Sequence, residues 1–420
     1  MLGAVADDLT GATDLAAELA RAGMAVTVSV GLPDATRSPG PPRPETAMVI
    51  GLKIRTVPAQ DAVAAARRAL ATLRDLGCDH FYAKYCSTFD SRPEGNIGPV
   101  ADALAEELDA GPVVFVPTYP ANGRTVYHGH LFVGDTLLSE TGMRTHPLTP
   151  MTDPNLVRVL AAQTDHAVGL CRLESVRAGA NAVAADLADA AAHGVSRIVV
   201  DAVTDEDLDT IAEAVADQPI TTGGAAFGGA LARRLTAGTT APGAFQNAAP
   251  SRRMVVCGSA SEATRRQVAA AAAKALMLRI DLDKAVADPD AEATRLLEKA
   301  FTAPPERLVL VHTAADPAAV LAVQQRFHAD TAGHALEQVL AAVAAGAVRR
   351  GVSRLVAAGG ETSGAVVEAL RIGSMAVGPE AAPGVPWMSG QVAGRTVNVL
   401  LKSGNFGSDD IFTGAWAVLG

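Results

Sequence analysis

The chain has 420 residues, of which 49% are hydrophobic but only 4% aromatic. That length favours two domains over one core, and Ala, Val and Leu must supply the packing. A net charge of −10 spread along the chain argues against a general nucleic-acid binder, which needs a basic face, but not against a small anion held by a local Arg/Lys cluster.

The four cysteines, Cys78, Cys86, Cys171 and Cys257, are widely spaced and form no Cys-x-x-Cys pair. Reduced thiols in a cytoplasmic protein are therefore expected, rather than a disulfide framework or a zinc knuckle. The first ten residues hold two acids and no basic stretch, and no apolar run reaches the roughly eighteen residues of a membrane helix. Neither a secretory signal nor a membrane span is expected.

An apolar run at 2–6 predicts a buried strand ending on Asp7 and Asp8, and Gly11 then leads into an Ala-rich helix over 12–22. In open parallel sheets ligands bind beyond the C-terminal ends of strands, so both carboxylates stand where functional groups belong. One of them alone would serve as a helix cap. Strands at 26–30 and 47–52 flank a Pro-rich loop at 33–44, and a helix at 59–76 precedes a strand at 80–84. The alternation predicts a doubly wound α/β sheet.

The stretch 84–99 collects Lys84, Ser87, Asp90, Arg92 and Asn96. Turn formers are ordinary there, but a lysine at a strand end beside so many donors points to a polyol or carboxylate pocket. After a strand at 113–116, Asn122-Gly123 is a turn signal, and 124–133 alternates as a strand would, with His128 and His130 on one face. Hydrogen-bonded or substrate-contacting histidines fit that pair better than a zinc site does. In the rigid loop 146–153, Thr152 or Asp153 is placed to cap a helix at 154–162. Strands near 167–170 and 197–201 follow, the second ending on Asp201, and Thr221-Thr222-Gly223-Gly224 is expected to open a helix toward 235.

Residues 236–250 are poor in charge and rich in Gly, Ala, Thr and Pro, as a linker is. They separate a domain at 1–240 from a domain at 251–420. In the second, a strand at 254–257, a turn at 258–261 and a helix at 262–276 restart the rhythm, followed by a strand at 308–311 and an apolar helix at 336–350. The strand 354–358 then runs into Gly359-Gly360-Glu361-Thr362-Ser363-Gly364 and another helix. Glycines that admit a close anion, hydroxyl donors and a helix N-terminus make this a phosphate-loop candidate. It is neither a P-loop nor a dinucleotide turn. A strand at 397–401 precedes Lys402-Ser403-Gly404-Asn405-Phe406-Gly407, where Lys402 could offset phosphate charge. Two such loops in one domain point to a nucleotide.

In combination, Asp7-Asp8-Leu9-Thr10-Gly11-Ala12, Ser87-Thr88-Phe89-Asp90-Ser91 with Gly95-Asn96-Ile97-Gly98-Pro99, Asn122-Gly123-Arg124 and the two glycine loops resemble the four-carbon acid sugar kinases, in the same order and over nearly the whole chain. The wording of 84–91 and 146–153 looks most like the 3-oxo-tetronate kinase branch. The resemblance implies ATP-dependent phosphorylation of the terminal C4 hydroxyl of 3-oxo-tetronate, with D-threonate or D-erythronate as the near alternative. It also implies a substrate domain followed by a nucleotide domain, each an α/β doubly wound, mostly parallel sheet flanked by helices. ATP contacts would fall on Ser259, Gly359, Gly360, Glu361, Thr362, Ser363, Gly404 and Asn405.

Phosphoryl transfer depends on positioning and charge neutralisation. Arg55, Lys84, Arg92 and Arg124 are candidates for the substrate carboxylate, and Ser87, Asn96 and Asn122 for further substrate contacts. Asp8 is the expected base and Asp90 the second choice, with Asp7 beside the substrate. Mg2+ is expected to bridge the ATP phosphates, with no protein ligand assigned, and closure of the two domains would exclude water. The expected partners are the sugar acid and ATP, with neither nucleic acid nor membrane; a homodimer is left open. A non-catalytic sugar-acid sensor is the far alternative, and it would need a DNA-reading module for which the chain has no basic helix-turn-helix segment to spare.

Overall fold

An uninterrupted apolar run is what a strand covered on both faces requires, since a half-exposed strand alternates. In the computed structural model, which describes residues 1–33, 45–89, 92–145, 149–236, 243–259, 261–313 and 329–420, every residue of β1 (Leu2–Ala6) is buried. The chain divides into two compact units, Met1–Gly243 and Ala244–Gly420.

The first unit continues with β2 (Ala25–Val30), β3 (Thr46–Gly51), β4 (His80–Lys84), β5 (Val113–Val116), β6 (Arg124–Tyr127), β7 (His130–Val133), β8 (Thr136–Leu137), β9 (Ala167–Cys171), β10 (Val195–Val200) and β11 (Ile220–Gly223). Its main sheet is parallel, in the order β2-β3-β1-β4-β11-β5-β10-β9. The chain steps outward from β1 to β2, returns through β3, and crosses to β4 on the other side. The C-terminal ends of β1 and β4 therefore flank a topological switch point, the usual place for a ligand. Ala6 stands level with Gly51 and with Lys84, which sets the height at which the next side chains emerge.

The helix Leu9–Arg21 is buried from Leu9 through Leu19. It packs closely on the helix Ala225–Thr236, where a Cβ on Gly228 would lie 2.3 Å from Leu15 Cδ1. A side chain there would force Leu15 to shift.

Several elements differ from the sequence reading. Thr221 and Thr222 belong to the central strand β11 and not to a turn; Thr222 Oγ1 donates to Val114 O at 2.7 Å, so a polar residue is satisfied in the core. Residues 124–133 form the hairpin β6–β7 with His128-Gly129 as its turn, so the two histidines do not share a strand face. The helix expected at 154–162 begins at Leu156 and is capped by Asn155; Asp153 instead pairs with Arg158 at 2.6 Å.

The second unit contains β12 (Arg253–Cys257), β13 (Ala275–Arg279), β14 (Leu308–His312), β15 (Arg354–Ala358), β16 (Ser374–Ala382), β17 (Val385–Val392) and β18 (Arg395–Lys402). Their order is β13-β14-β12-β15-β18-β17-β16, parallel up to β18 and antiparallel beyond it. The outward step, return and crossing repeat those of the first unit, so β12 and β15 flank a second switch point. The helix begun at Glu262 stops at Ala271, and β13 takes the residues expected to extend it.

On one face of this sheet Trp387 and Trp416 lie 5.3 Å apart, and the Trp387 indole N–H donates to Ala415 O. Within the expected linker, Thr236 closes a helix and 237–242 lie outside the described residues. Asn247 and Ala248 are tied into the second unit, where buried Arg354 donates to Asn247 Oδ1 and Ala248 O. No helix among the described residues is long and apolar enough to cross a membrane.

Candidate active site

Asp7 and Asp8 leave β1 with different duties. Asp8 caps the helix Leu9–Arg21: its Oδ1 accepts from Gly11 N at 2.5 Å and its Oδ2 from Thr10 Oγ1 at 3.1 Å. Arg55, on the segment after β3, donates to both oxygens of Asp7 at 2.7 and 2.9 Å and reaches Asp8 Oδ2 at 2.8 Å. One guanidinium thus spans two adjacent carboxylates, using the planar donor fork that lysine lacks. Burial opposes the charge on Arg55, but Asp7 and Asp8 hold its pKa well above the ordinary value. Burial, with Asp7 beside it, raises Asp8 despite Arg55.

Lys84 is buried at the end of β4 and donates to Tyr85 O at 2.8 Å. All three groups converge over Gly11. A Cβ there would lie 2.7 Å from Asp8 Oδ1, 3.3 Å from Lys84 Nζ and 3.4 Å from Asp7 Oδ1.

A second acidic cluster was not anticipated. Tyr119 Oη lies 2.8 Å from Glu18 Oε1 and 3.3 Å from Asp14 Oδ1, all three side chains being buried. Arg21 holds Glu18 at 2.6 Å. The single phenolic hydrogen is divided between the two carboxylates, and Asp14, at the longer distance, is the less well compensated. Burial pushes Asp14 up to about 7, with Glu18 adding to the rise and Lys84 opposing it. The available signal was two acids four residues apart on an otherwise apolar helix.

The other predicted residues fall into separate roles. Asn96 is buried, and its amide donates to Ile54 O, Arg55 O and Val57 O, bracing the segment that presents Arg55. Ser87 is buried in the loop after β4, whereas Arg92 is exposed, 3.6 Å from Glu94. Asp90 lies outside the described residues. Arg124 donates to Asn122 O, yet Arg124 Nε and Asn122 Nδ2 are both buried without a hydrogen-bond partner among the described residues. Orphaned donors of this kind await a ligand or water. Asp201 accepts from the backbone N–H groups of His128, Gly129 and Leu173, so it braces the hairpin turn.

In the second unit the loops after β12, β15 and β18 are neighbours because those strands are neighbours. Gly359 sits at φ 118°, and a Cβ on it would approach Ser259 N to 3.2 Å. The helix Gly360–Ala369 begins with no side-chain cap, which leaves first-turn N–H groups for an outside acceptor. Gly360 and Glu361 are exposed there, whereas Thr362 and Ser363 are buried; Ser363 Oγ donates to Ala357 O, and Thr362 packs on Gly258. Ser261 and Thr264 donate to Gly404 O at 2.6 and 2.9 Å, and Ser259 Oγ is 3.3 Å from Ser261 Oγ. Asn405 is exposed beside them.

Lys402 is fully buried, and its Nζ contacts Ser403 O at 2.8 Å, Gly404 O at 3.0 Å and Thr264 Oγ1 at 3.3 Å. Its three N–H donors are thereby occupied, so it acts as a clamp on the loop. Burial pushes it down to about 8, which leaves it protonated at neutral pH.

A cavity of about 440 Å³ lined by Ser251, Ser353 and Arg395 opens at the opposite edge of this sheet, where the strands begin. It is remote from the loops that follow the strands. Among the described residues, no group of three or more His, Cys, Asp or Glu could hold a metal ion.

A sugar-binding N-terminal domain model matches residues 2–231 and a nucleotide-binding C-terminal domain model matches residues 254–412. The chain is 46% identical to the 3-oxo-tetronate kinase of Cupriavidus necator, with 100% of this chain and 97% of that protein covered. It is 45% identical to that of Pseudomonas savastanoi pv. phaseolicola, over 99% and 96%. A solved structure from Salmonella typhimurium LT2 matches with a TM-score of 0.86 at 38% identity, covering 99% of this chain and 98% of that one. Haemophilus influenzae protein HI1011 matches with a TM-score of 0.78 at 38% identity over 100% of both chains.

Two outcomes follow from the buried titratable groups. Between its unfolded value near 3.8 and about 7, native Asp14 holds a proton that the unfolded chain releases, so its contribution to stability falls as pH rises through that window. Asp14→Asn should therefore gain melting temperature over wild type, with a larger gain at pH 8 than at pH 5; an equal difference at both would contradict the raised pKa of Asp14. Lys402→Met should take a donor from Ser403 O and one donor of three from Gly404 O, and weaken ADP binding by about tenfold or more in calorimetry. Unchanged ADP affinity in a folded variant would remove the clamp.

Proposed function

The chain belongs to the four-carbon acid sugar kinase family, and from that premise we propose that it is a 3-oxo-tetronate kinase, transferring the γ-phosphoryl group of ATP to the terminal C4 hydroxyl. The observation that carries the acceptor side is the convergence of Asp7, Asp8 and Lys84 around Gly11, with Arg55 spanning the two carboxylates.

The geometry supports a division of roles. Both oxygens of Asp7 are committed to Arg55, so Asp7 orients that guanidinium. Asp8 is the more accessible of the two, with its side chain 21% exposed against 12%, and its Oδ1 keeps a lone pair beyond the one used on Gly11. Its raised pKa makes it a stronger base than an ordinary aspartate. In this reading Asp8 takes the proton of the C4 hydroxyl as its oxygen attacks phosphorus in line and ADP departs. Arg55 and Lys84 already balance Asp7 and Asp8, so the substrate carboxylate needs a further cation. The orphaned donors of Arg124 and Asn122 suit it.

On the donor side, the uncapped helix at Gly360, Ser259 and the loop at Gly404 suit a polyphosphate through backbone N–H groups and hydroxyls. Mg2+ would enter on those phosphates with most of its waters.

Purified protein with Mg-ATP should release ADP on addition of 3-oxo-tetronate, and faster than on addition of D-threonate or D-erythronate. Asp8→Asn is a discriminating variant because asparagine caps a helix as well as aspartate does. It should fold normally, lower kcat by about 10²–10⁴-fold and leave the sugar-acid KM within a few-fold. Turnover that survives in Asp8→Asn would place the base elsewhere.

A further inference from the structure

His312 ends β14, paired in register with Cys257 on β12 and with Arg279 on β13. It is 7% exposed, and its Nδ1 is buried without a hydrogen-bond partner among the described residues. An orphaned buried imidazole nitrogen carries a desolvation cost unless a further group meets it.

Its position suggests what that is. Strand alternation puts His312 on the same face as Leu308 and Leu310, level with Val255 and Cys257, which belong to one core cluster with Ala271 of the helix Glu262–Ala271. That helix starts just after Ser259, so His312 stands one strand over from the first of the three phosphate-type loops. These loops follow β12, β15 and β18, leaving β14 on one flank and β17 on the other. On the β17 flank the Trp387 indole is already satisfied by Ala415 O.

Resting on the kinase reading above, we propose that His312 is a nucleoside-binding residue, whose Nδ1 hydrogen-bonds a ribose hydroxyl of the bound nucleotide while the loops after β12, β15 and β18 hold its phosphates. A hydroxyl fits because it both donates and accepts, and so satisfies either tautomer of a neutral ring. A phosphate would call for the imidazolium. Burial and the nearby Arg279 charge both lower the His312 pKa and disfavour that form.

The test is calorimetric titration of ADP, 2′-deoxy-ADP and 3′-deoxy-ADP into wild type, His312→Leu and His312→Asn. Wild type should bind one of the two deoxynucleotides about tenfold more weakly than ADP. His312→Leu should lose about tenfold for ADP and nothing further for that same deoxynucleotide. His312→Asn, whose amide reaches the place of Nδ1, should keep ADP within about threefold, and the sugar-acid KM should be unmoved in both variants. Equal weakening of all three nucleotides in His312→Leu, or none, overturns the inference and leaves the kinase reading standing. Absence of ADP binding to wild type overturns both. Should His312→Leu fail to fold, a wild type that binds all three nucleotides alike decides against the inference.

Discussion

The first unit depends on how two adjacent carboxylates are accommodated at the end of a buried strand. Asp7 and Asp8 repel each other, and burial penalises both charges; without a cation one of them would take up a proton. Arg55 resolves this with three donors on three of the four carboxylate oxygens. Its placement recruits the surroundings: the Asn96 amide holds the backbone that carries it, and Ile54 N donates to Asp7 O. Gly11 has no side chain because the carboxylates and Lys84 already fill the space a Cβ would take.

The second unit repeats the strand order but uses different chemistry. Where the first unit gathers four charged side chains, the second presents glycines, hydroxyls and an uncapped helix, and its one buried lysine is spent on its own loop. The contrast suits the two ligands. A small sugar acid offers one carboxylate and several hydroxyls to be told apart, which favours side chains of defined reach. A polyphosphate offers many equivalent oxygens, for which backbone N–H groups suffice. Gly359 at φ 118° marks where the backbone is bent to present them.

Much of this was legible in the sequence because parallel strands buried on both faces read as apolar runs, and because strand ends are where function concentrates. The acids after β1, Lys84 at the end of β4 and the glycine loops after β15 and β18 were found that way. β11 was misread because Thr-Thr-Gly looks like a turn; only the tertiary structure supplies Val114 O and the Tyr85 hydroxyl that make Thr222 acceptable inside a sheet. The hairpin at His128 was hidden for a related reason, since a non-glycine residue at φ 49° leaves no mark in composition. Asp14 and Glu18 escaped notice inside an Ala-rich helix because their partner, Tyr119, is about a hundred residues away. For Lys402, read as a charge that could offset phosphate, position alone does not show that its donors are taken by its own loop.

The central claim is that the sugar acid is held where Asp7, Asp8 and Lys84 meet over Gly11, independently of the nucleotide loops. Gly11→Ala pushes a methyl group into that meeting point. Titration of 3-oxo-tetronate and of ADP into this variant and into wild type tests the claim directly. The expected result is a loss of sugar-acid binding with an unchanged ADP Kd; retained sugar-acid affinity in a folded Gly11→Ala protein would contradict it.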